Sequence, residues 1–481
     1  MDPVLLGFIG YLVVVVVVGL IAFRFTRTLA DFLLAGRRLG AWVVAFSERA
    51  SGESAWLLIG LPGLALASGF SAIWSSIGCA AGIFVSWTLV ARRLRVETER
   101  LGALTLPDYF EARFGDGSHA LRILSMGIIV FFFTFYVAAQ FLAAGKVLHT
   151  TFGLEPFWGM VIGAVIILFY TIMGGFFAVA WTDLVQGILM AFAMIILPAA
   201  AWIEMGGTAG IAERIAAIDP NLLTVTGGQT GRSLVMGLVI GSLGIGLGYV
   251  GQPHLLTRFM AIRDPKELRK GTLIAMSWVV IAFWGAVLVG IAGLAYFGTG
   301  GLADAEHVMP EVARTFLPAG LAGIIISAAI AAMMSTADSQ LLVATSALSE
   351  DIYHQLVNRD ASQRRLVALS RIGTLVIGAV AFLLALRAEE TVYWFVLYAW
   401  AGLGAAFGPA MVLSLWWKRT TKWGVLAGMV VGSVVSVVWH NVPALKDIVY
   451  ELVPAFVLAL LAVVVVSLLT AENRAGMKIA H

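Results

Sequence analysis

Apolar residues run through this chain in stretches of about 20, separated by short polar segments. A helix crossing the ~30 Å hydrocarbon core of a bilayer needs roughly 17–25 such residues. The pattern predicts helices over 4–24, 39–62, 68–91, 123–148, 157–177, 183–203, 233–257, 272–297, 318–345, 367–386, 391–416, 423–440 and 449–470, about thirteen in all. The expected fold class is all-α integral membrane. No stretch between these helices is long enough for a second, soluble domain, so residues 1–481 read as one membrane domain.

Two of the predicted helices are interrupted. The second reads Phe46-Ser47-Glu48-Arg49-Ala50-Ser51-Gly52-Glu53-Ser54-Ala55-Trp56, polar in the middle of an apolar span. The seventh reads Gly241-Ser242-Leu243-Gly244-Ile245-Gly246-Leu247-Gly248-Tyr249-Val250-Gly251-Gln252-Pro253. Glycine weakens helix interiors and proline removes a backbone donor, so both should bend or unwind. Unwound backbone at membrane depth is tolerated where it is buried in protein or lines a cavity. The breaks lie five helices apart, which divides the chain into an extra helix (4–24), two halves of opposite topology (39–203 and 233–416) and two C-terminal helices (423–470). Matched interruptions in two inverted halves point to a transporter's binding site. For the seventh helix, ordinary glycine-mediated packing is the alternative.

Composition supports lipid as the solvent: 60% of the 481 residues are hydrophobic and 12% charged, against about 25% charged in soluble domains. The net charge of +3 carries no nucleic-acid signal, because the basic residues alternate between the two sides. With the N-terminus outside, 24 of them (Arg258 included) fall on the cytoplasmic side and 6 outside, Arg49 lying within a helix. The positive-inside rule then predicts N-out and C-in. The first helix has no basic segment before it and no small-residue cleavage site after it, so it reads as a retained span. Cys79 is the only cysteine, which excludes a disulfide and a thiolate metal site.

Ionisable groups at membrane depth are costly and usually line a pathway. Asp183, Ser335, Thr336, Asp338 and Ser339 lie in or at the edge of long apolar segments, and Ser335-Thr336-Ala337-Asp338-Ser339 offers only hard oxygen ligands of the kind Na⁺ prefers. These residues point to ion-coupled transport. An enzyme is not expected: the chain has no HExxH, GxSxG or GxxxxGK[ST] motif and no clustered histidines. A channel gives no reason for paired breaks. A membrane solute sensor on the same scaffold is the other class, distinguished by binding without flux; no appended signalling domain is expected.

At these residues the chain resembles the sodium/solute symporter family, most closely its bacterial sodium/proline symporters, from about residue 30 to 470. The resemblance rests on Ser54-Ala55-Trp56-Leu57-Leu58-Ile59-Gly60-Leu61-Pro62-Gly63, Leu104-Thr105-Leu106-Pro107-Asp108-Tyr109-Phe110, and Gly174-Gly175-Phe176 leading to Trp181-Thr182-Asp183. Further along stand Gly248-Tyr249-Val250-Gly251-Gln252-Pro253-His254, Met334-Ser335-Thr336 and Trp400-Ala401-Gly402-Leu403-Gly404-Ala405-Ala406-Phe407-Gly408-Pro409. It implies the leucine-transporter-type fold with a 5+5 inverted repeat and one extra helix before it. It also implies a symporter that couples Na⁺ influx to uptake of a small solute, such as the amino acid proline, by alternating access. A proton is the alternative coupling ion, with an amino acid or small carboxylate as solute. Besides the solute and membrane lipid, the expected partners include no nucleic acid and no obligate protein.

Residue by residue, the family's main sodium site maps to the carbonyls of Ala50, Glu53 and Ala332 and the hydroxyls of Ser335 and Thr336. For Ser335 and Thr336 the alternative is bonding back to their own helix. The second site of some relatives maps to Asp183, Ser335, Asp338 and Ser339. Two carboxylates sharing low dielectric do not both ionise freely, so a proton could stand there in place of Na⁺. Alternatively, Asp183 caps the start of its helix. The solute pocket maps to Trp56, Tyr136 and Tyr249, with Ser54, Gln140, Ile245 and Gln252 beside them. This chain departs from the proline symporters at several of these positions: Gly52 replaces their acid and Glu53 follows it, about 100° further round the helix. Ile245 stands where they carry Trp, Gln140 where they carry a small residue, and Glu48-Arg49 in place of an uncharged pair. Arg49 and Glu53, four apart, share a helix face. Arg49 could pair there, reach Asp338 or bind a solute carboxylate, and with Gly52 it is assigned to coupling or gating.

Overall fold

The computed structural model describes residues 2–23, 29–173 and 175–477, so Gly174 and the basic residues Arg24, Arg27 and Lys478 of the sequence reading lie outside the described residues. Among the described residues eleven helical runs are long and apolar enough to cross a membrane. One run, Ala41–Arg100, has 60 residues, and straight it would be about 90 Å long, three times the hydrocarbon thickness. It turns back at Gly69, whose φ of 64° favours glycine, and so makes two crossings. A shorter apolar helix over Pro156–Ile172 completes the predicted set.

In chain order the helices used below are α1 (Pro3–Phe23), α2 (Ala41–Ala55), α3 (Leu61–Ser68), α4 (Ile73–Val85), α5 (Ala91–Arg100), α6 (Leu106–Phe114) and α7 (Ala120–Phe152). They continue as α8 (Pro156–Met173), α9 (Phe176–Glu204), α10 (Pro253–Ala261), α11 (Leu268–Phe297), α12 (Ala319–Ser346), α13 (Gln363–Ala385), α14 (Val392–Trp416), α15 (Lys422–Asn441) and α16 (Leu452–Met477). α1 is apolar on every side and has no polar stripe to bury. It docks where small residues allow backbone contact: a Cβ on Gly7 would stand 2.9 Å from the Gly320 oxygen, and one on Gly323 would strike Val4.

Both predicted interruptions are present. α2 runs to Ser54, whose backbone leaves the helical region (φ 53°, ψ −167°), and the chain re-enters through a wide turn over Trp56–Gly60 before α3. The freed donors find partners locally. The Ser54 hydroxyl accepts from Trp56 N–H at 3.1 Å, and Gln140 Oε1 on α7 accepts from Ala55 N–H at 3.1 Å. In the second break a tight turn over Ile245–Gly251 gives way to extended Gln252, and Pro253 opens α10. Glycine packing, the alternative reading, also operates here. A Cβ on Gly246 would collide with the Gly78 carbonyl of α4, and one on Gly251 would lie 2.5 Å from Gly408 N on α14. The same glycines therefore break the helix and let α4 and α14 grip it.

α9 begins seven residues before its predicted start, at Phe176 rather than 183. The apolar Phe176-Phe177-Ala178-Val179-Ala180-Trp181 run extends it backwards. Asp183 therefore sits two turns inside the helix and fully buried, so it does not cap it.

Candidate functional site

α2 and α12 face each other where α2 approaches its break. The small residues of Ala50-Ser51-Gly52 on one side and Ala332, Ser335 and Thr336 on the other let backbone oxygens meet hydroxyls. Ser335 Oγ lies 2.9 Å from the Ala50 carbonyl oxygen and 3.1 Å from that of Ala332. Thr336 Oγ1 lies 2.9 Å from the Ser51 carbonyl oxygen. Ser335 thus bonds both across the interface and back to its own helix, whereas Thr336 bonds across it. All these residues are fully buried. The donor set is neutral and all oxygen, which suits a hard monovalent cation. One expected ligand differs: the Glu53 carbonyl accepts the Trp56 N–H of its own chain turn, and the Ser51 carbonyl is the one that faces Thr336.

Next to this cage stands a cluster built around a residue the sequence reading had placed among the cytoplasmic arginines. Arg258, on α10, is fully buried. Its guanidinium donates to Asp183 Oδ2 at 3.1 Å, to Ser51 Oγ at 2.9 Å, to Ser47 Oγ at 3.2 Å, to the His254 carbonyl at 2.7 Å and to Ser339 Oγ. Asp183 Oδ2 also accepts from Ser47 at 2.6 Å and Ser51 at 3.0 Å. Asp183 and Ser339 are therefore brought together as expected, but through an arginine. Asp338 is buried beside Ser339, whose hydroxyl lies 3.2 Å from its Oδ1. Among the described residues Asp338 Oδ2 and Asp183 Oδ1 have no hydrogen-bond partner. One hint of Arg258 is local: it lies five residues after Pro253, within the short helix that the proline opens, whereas the remaining basic residues of that segment, Arg263 to Lys270, come after Phe259-Met260-Ala261-Ile262.

On the other side of the α2 break, Gly52, Glu53, Trp56, Tyr136, Ile245 and Tyr249 line one small cavity among buried residues, joined by Cys79, Val396, Leu397 and Trp400, which the sequence reading did not single out. Its volume is about 10 Å³, room for roughly one water. Gln140 and Gln252 do not reach it. Gln140 serves the α2 break, and Gln252 donates to the Trp400 carbonyl at 3.0 Å. Ser54 is taken up by Trp56 N–H. Arg49 neither meets Asp338 nor lines the cavity: it is clamped between Glu48 (Nε to Oε2, 2.5 Å, with a second contact through Nη2) and Glu53 (Nη1 to Oε1, 2.5 Å).

A scan against family models matches residues 32–432 to the Sodium:solute symporter family. The chain belongs to the sodium:solute symporter family. As a symporter of that family it couples solute movement to Na⁺ and is not an enzyme. It is 41% identical to the high-affinity proline transporter PutP of Bacillus subtilis over 94% of this chain and 95% of that one. It is equally 41% identical to the sodium/proline symporter of Escherichia coli over 99% and 95%. Among solved structures, the substrate-bound outward-open state of a Na⁺-coupled sialic acid symporter superimposes with a TM-score of 0.81, at 21% identity over 98% of both chains. The nucleobase-cation-symport-1 family transporter Mhp1, in a closed conformation, gives a TM-score of 0.57 at 14% identity over 92% and 96%. This symporter thus has the leucine-transporter-type fold expected for it.

Proposed function

We propose that this symporter takes up proline or a closely related amino acid with Na⁺ across the inner membrane, N-terminus outside and C-terminus inside. The solute assignment is supported by the proline-transporting relatives and by a cavity walled with aromatic side chains at the α2 break. The Ile245 and Glu53 differences argue for a related rather than identical pocket.

In this reading Na⁺ binds to Ser335 Oγ, Thr336 Oγ1 and the carbonyls of Ala50, Ser51 and Ala332. The observation that carries it is the approach of Ser335 and Thr336 to α2 carbonyls, 2.9 Å each, across two helices, with Ser335 also within 3.1 Å of the Ala332 carbonyl of its own helix. Binding there ties α2 to α12 and favours the arrangement in which the cavity is complete, which requires tighter cation binding in that state than in the other. A proton at the Asp183–Asp338 pair is the second reading. It is favoured by three buried charges, Arg258 against two carboxylates, that leave one negative charge over.

Uptake by the purified protein in liposomes, under imposed Na⁺ or H⁺ gradients, separates the two ions. Replacing Thr336 with Ala should raise the Na⁺ concentration for half-maximal uptake about tenfold, the scale of 1.4 kcal/mol for one lost ligand. Unchanged sodium dependence in both the Ser335→Ala and Thr336→Ala proteins would remove this site.

A further inference from the structure

The small cavity at the α2 break holds one carboxylate and no fixed cation: among the described residues Glu53 is its only charged wall. Glu48 takes the larger share of Arg49, through two contacts, and is further held by Trp87 Nε1 at 2.9 Å. Glu53 meets Arg49 through Oε1 alone, while its Oε2 accepts only the Tyr249 hydroxyl, at 3.1 Å. Two buried carboxylates thus share one guanidinium, which leaves a negative charge beside the cavity. Buried charge without a partner is costly, so the site is incomplete without a further positive group.

A second feature of the same cavity points to a ligand. Trp56 lines it, is buried, and its Nε1–H has no hydrogen-bond partner among the described residues. A buried indole donor normally finds an acceptor. The remaining walls include Tyr136, Tyr249 and Trp400, and aromatic faces favour a substituted, weakly hydrated ammonium.

We propose that Glu53 is the specificity residue for the solute's cationic nitrogen, and that Trp56 Nε1 donates to the solute's carboxylate. This rests on the cavity being the solute site. The order of recognition follows from the walls. The nitrogen meets a full charge and the carboxylate meets one neutral donor, so losing the nitrogen should cost more binding than losing the carboxylate. A carboxylate set against Glu53 with no ammonium to offset it would be repelled.

The test measures binding to the full chain in detergent with saturating Na⁺, by thermal stabilisation. Three probes of one ring size serve: proline, pyrrolidine (nitrogen only) and tetrahydrofuran-2-carboxylate (carboxylate only). The unmodified protein should bind proline best, pyrrolidine at least tenfold more weakly, and tetrahydrofuran-2-carboxylate not measurably. Glu53→Gln should weaken proline and pyrrolidine alike by tenfold or more. Trp56→Phe should weaken proline about tenfold and pyrrolidine less than twofold. The inference is overturned if the unmodified protein binds tetrahydrofuran-2-carboxylate more tightly than pyrrolidine, or if Glu53→Gln binds proline within twofold of the unmodified protein. Should Glu53→Gln not fold, the ranking of the probes by the unmodified chain decides the matter alone. A nitrogen-free carboxylate carried with Na⁺ would sink this inference and leave symport standing. Sugars bound and amino acids ignored would sink this inference together with the amino-acid reading it rests on.

Discussion

Arg258 changes the chemistry of the cluster around Asp183, Asp338 and Ser339, the proposed second site, more than any other side chain. Its Nε and both Nη nitrogens reach Ser47, Ser51, Asp183, Ser339 and the His254 carbonyl, a use of the planar fork that a lysine could not reproduce. Removing one partner of a buried ion pair leaves an uncompensated charge and costs about 3–5 kcal/mol. Arg258→Ala should therefore lower stability sharply, with Asp183 and Asp338 left facing each other. Adding Asp183→Asn should restore part of the loss, so the two substitutions should couple by about 2 kcal/mol or more in a double-mutant cycle read by denaturation. Losses that simply add, within about 0.5 kcal/mol, would show that the guanidinium is held by its hydroxyl and carbonyl contacts and that the pairing with Asp183 contributes nothing.

At the scale of elements, the two breaks were legible because charge and glycine interrupt apolar runs, and those are local signals. The residues that complete them were not. Ser54 carries the positive φ although nothing marks it from its neighbours, and the donor it frees is satisfied by Gln140, 85 residues away. Read from sequence, a buried glutamine beside a pocket looks like a solute contact; only the fold shows that it closes a backbone. A similar long-range tie lies near the C-terminal end of α7. Lys146 Nζ meets Asp304 Oδ2 at 2.6 Å and Glu306 Oε2 at 2.5 Å, and the Glu306 carboxylate accepts from Val392 and Tyr393 N–H at 3.0 and 2.8 Å. It thereby supplies the cap that Thr391, at the start of α14, does not. His307 sits against this hub, its ring 6.2 Å from that of His149. Burial, then the charges of Lys146 and His149, hold its pKa below the ordinary 6.5, although Asp304 pulls the other way. Asp304 is itself held below its usual range: burial raises it, but Lys146 and the Glu306 N–H outweigh that. The folded state thus keeps His307 neutral where the unfolded chain would take a proton. Its contribution is complete above about pH 6.5 and is lost as pH falls through the lower folded value. Thermal stability should drop between pH 7.5 and 5.5 more steeply in the wild type than in His307→Gln. Parallel curves would show that the histidine takes no part.

For the whole molecule, the size of the proposed solute cavity implies movement. A space of about 10 Å³ admits no amino acid until its walls part, and those walls come from both halves of the repeat: α2 and the Ile245–Gly251 turn with α4, α7 and α14. The walls also include the chain's sole cysteine, Cys79, fully buried on α4, which makes the native protein its own reporter of opening. Its thiol can meet a reagent only when the cavity opens to water, and a solute seated against Glu53 and Trp56 would shield it. Because the proposed cation cage shares α2 with the cavity, the two ligands should act in order: Na⁺ alone shifts the population of open states, and solute protects only once Na⁺ is present. Alkylation by N-ethylmaleimide, followed by mass, should therefore be slow without ligands and altered by Na⁺. Na⁺ and proline together should suppress it severalfold, whereas proline with K⁺ in place of Na⁺ should leave it unchanged. In Thr336→Ala the protection should require about tenfold more Na⁺, matching the loss in uptake. A thiol that reacts at one rate under all these conditions would separate the cavity from the transport cycle, and the solute site would then have to be sought elsewhere in the fold.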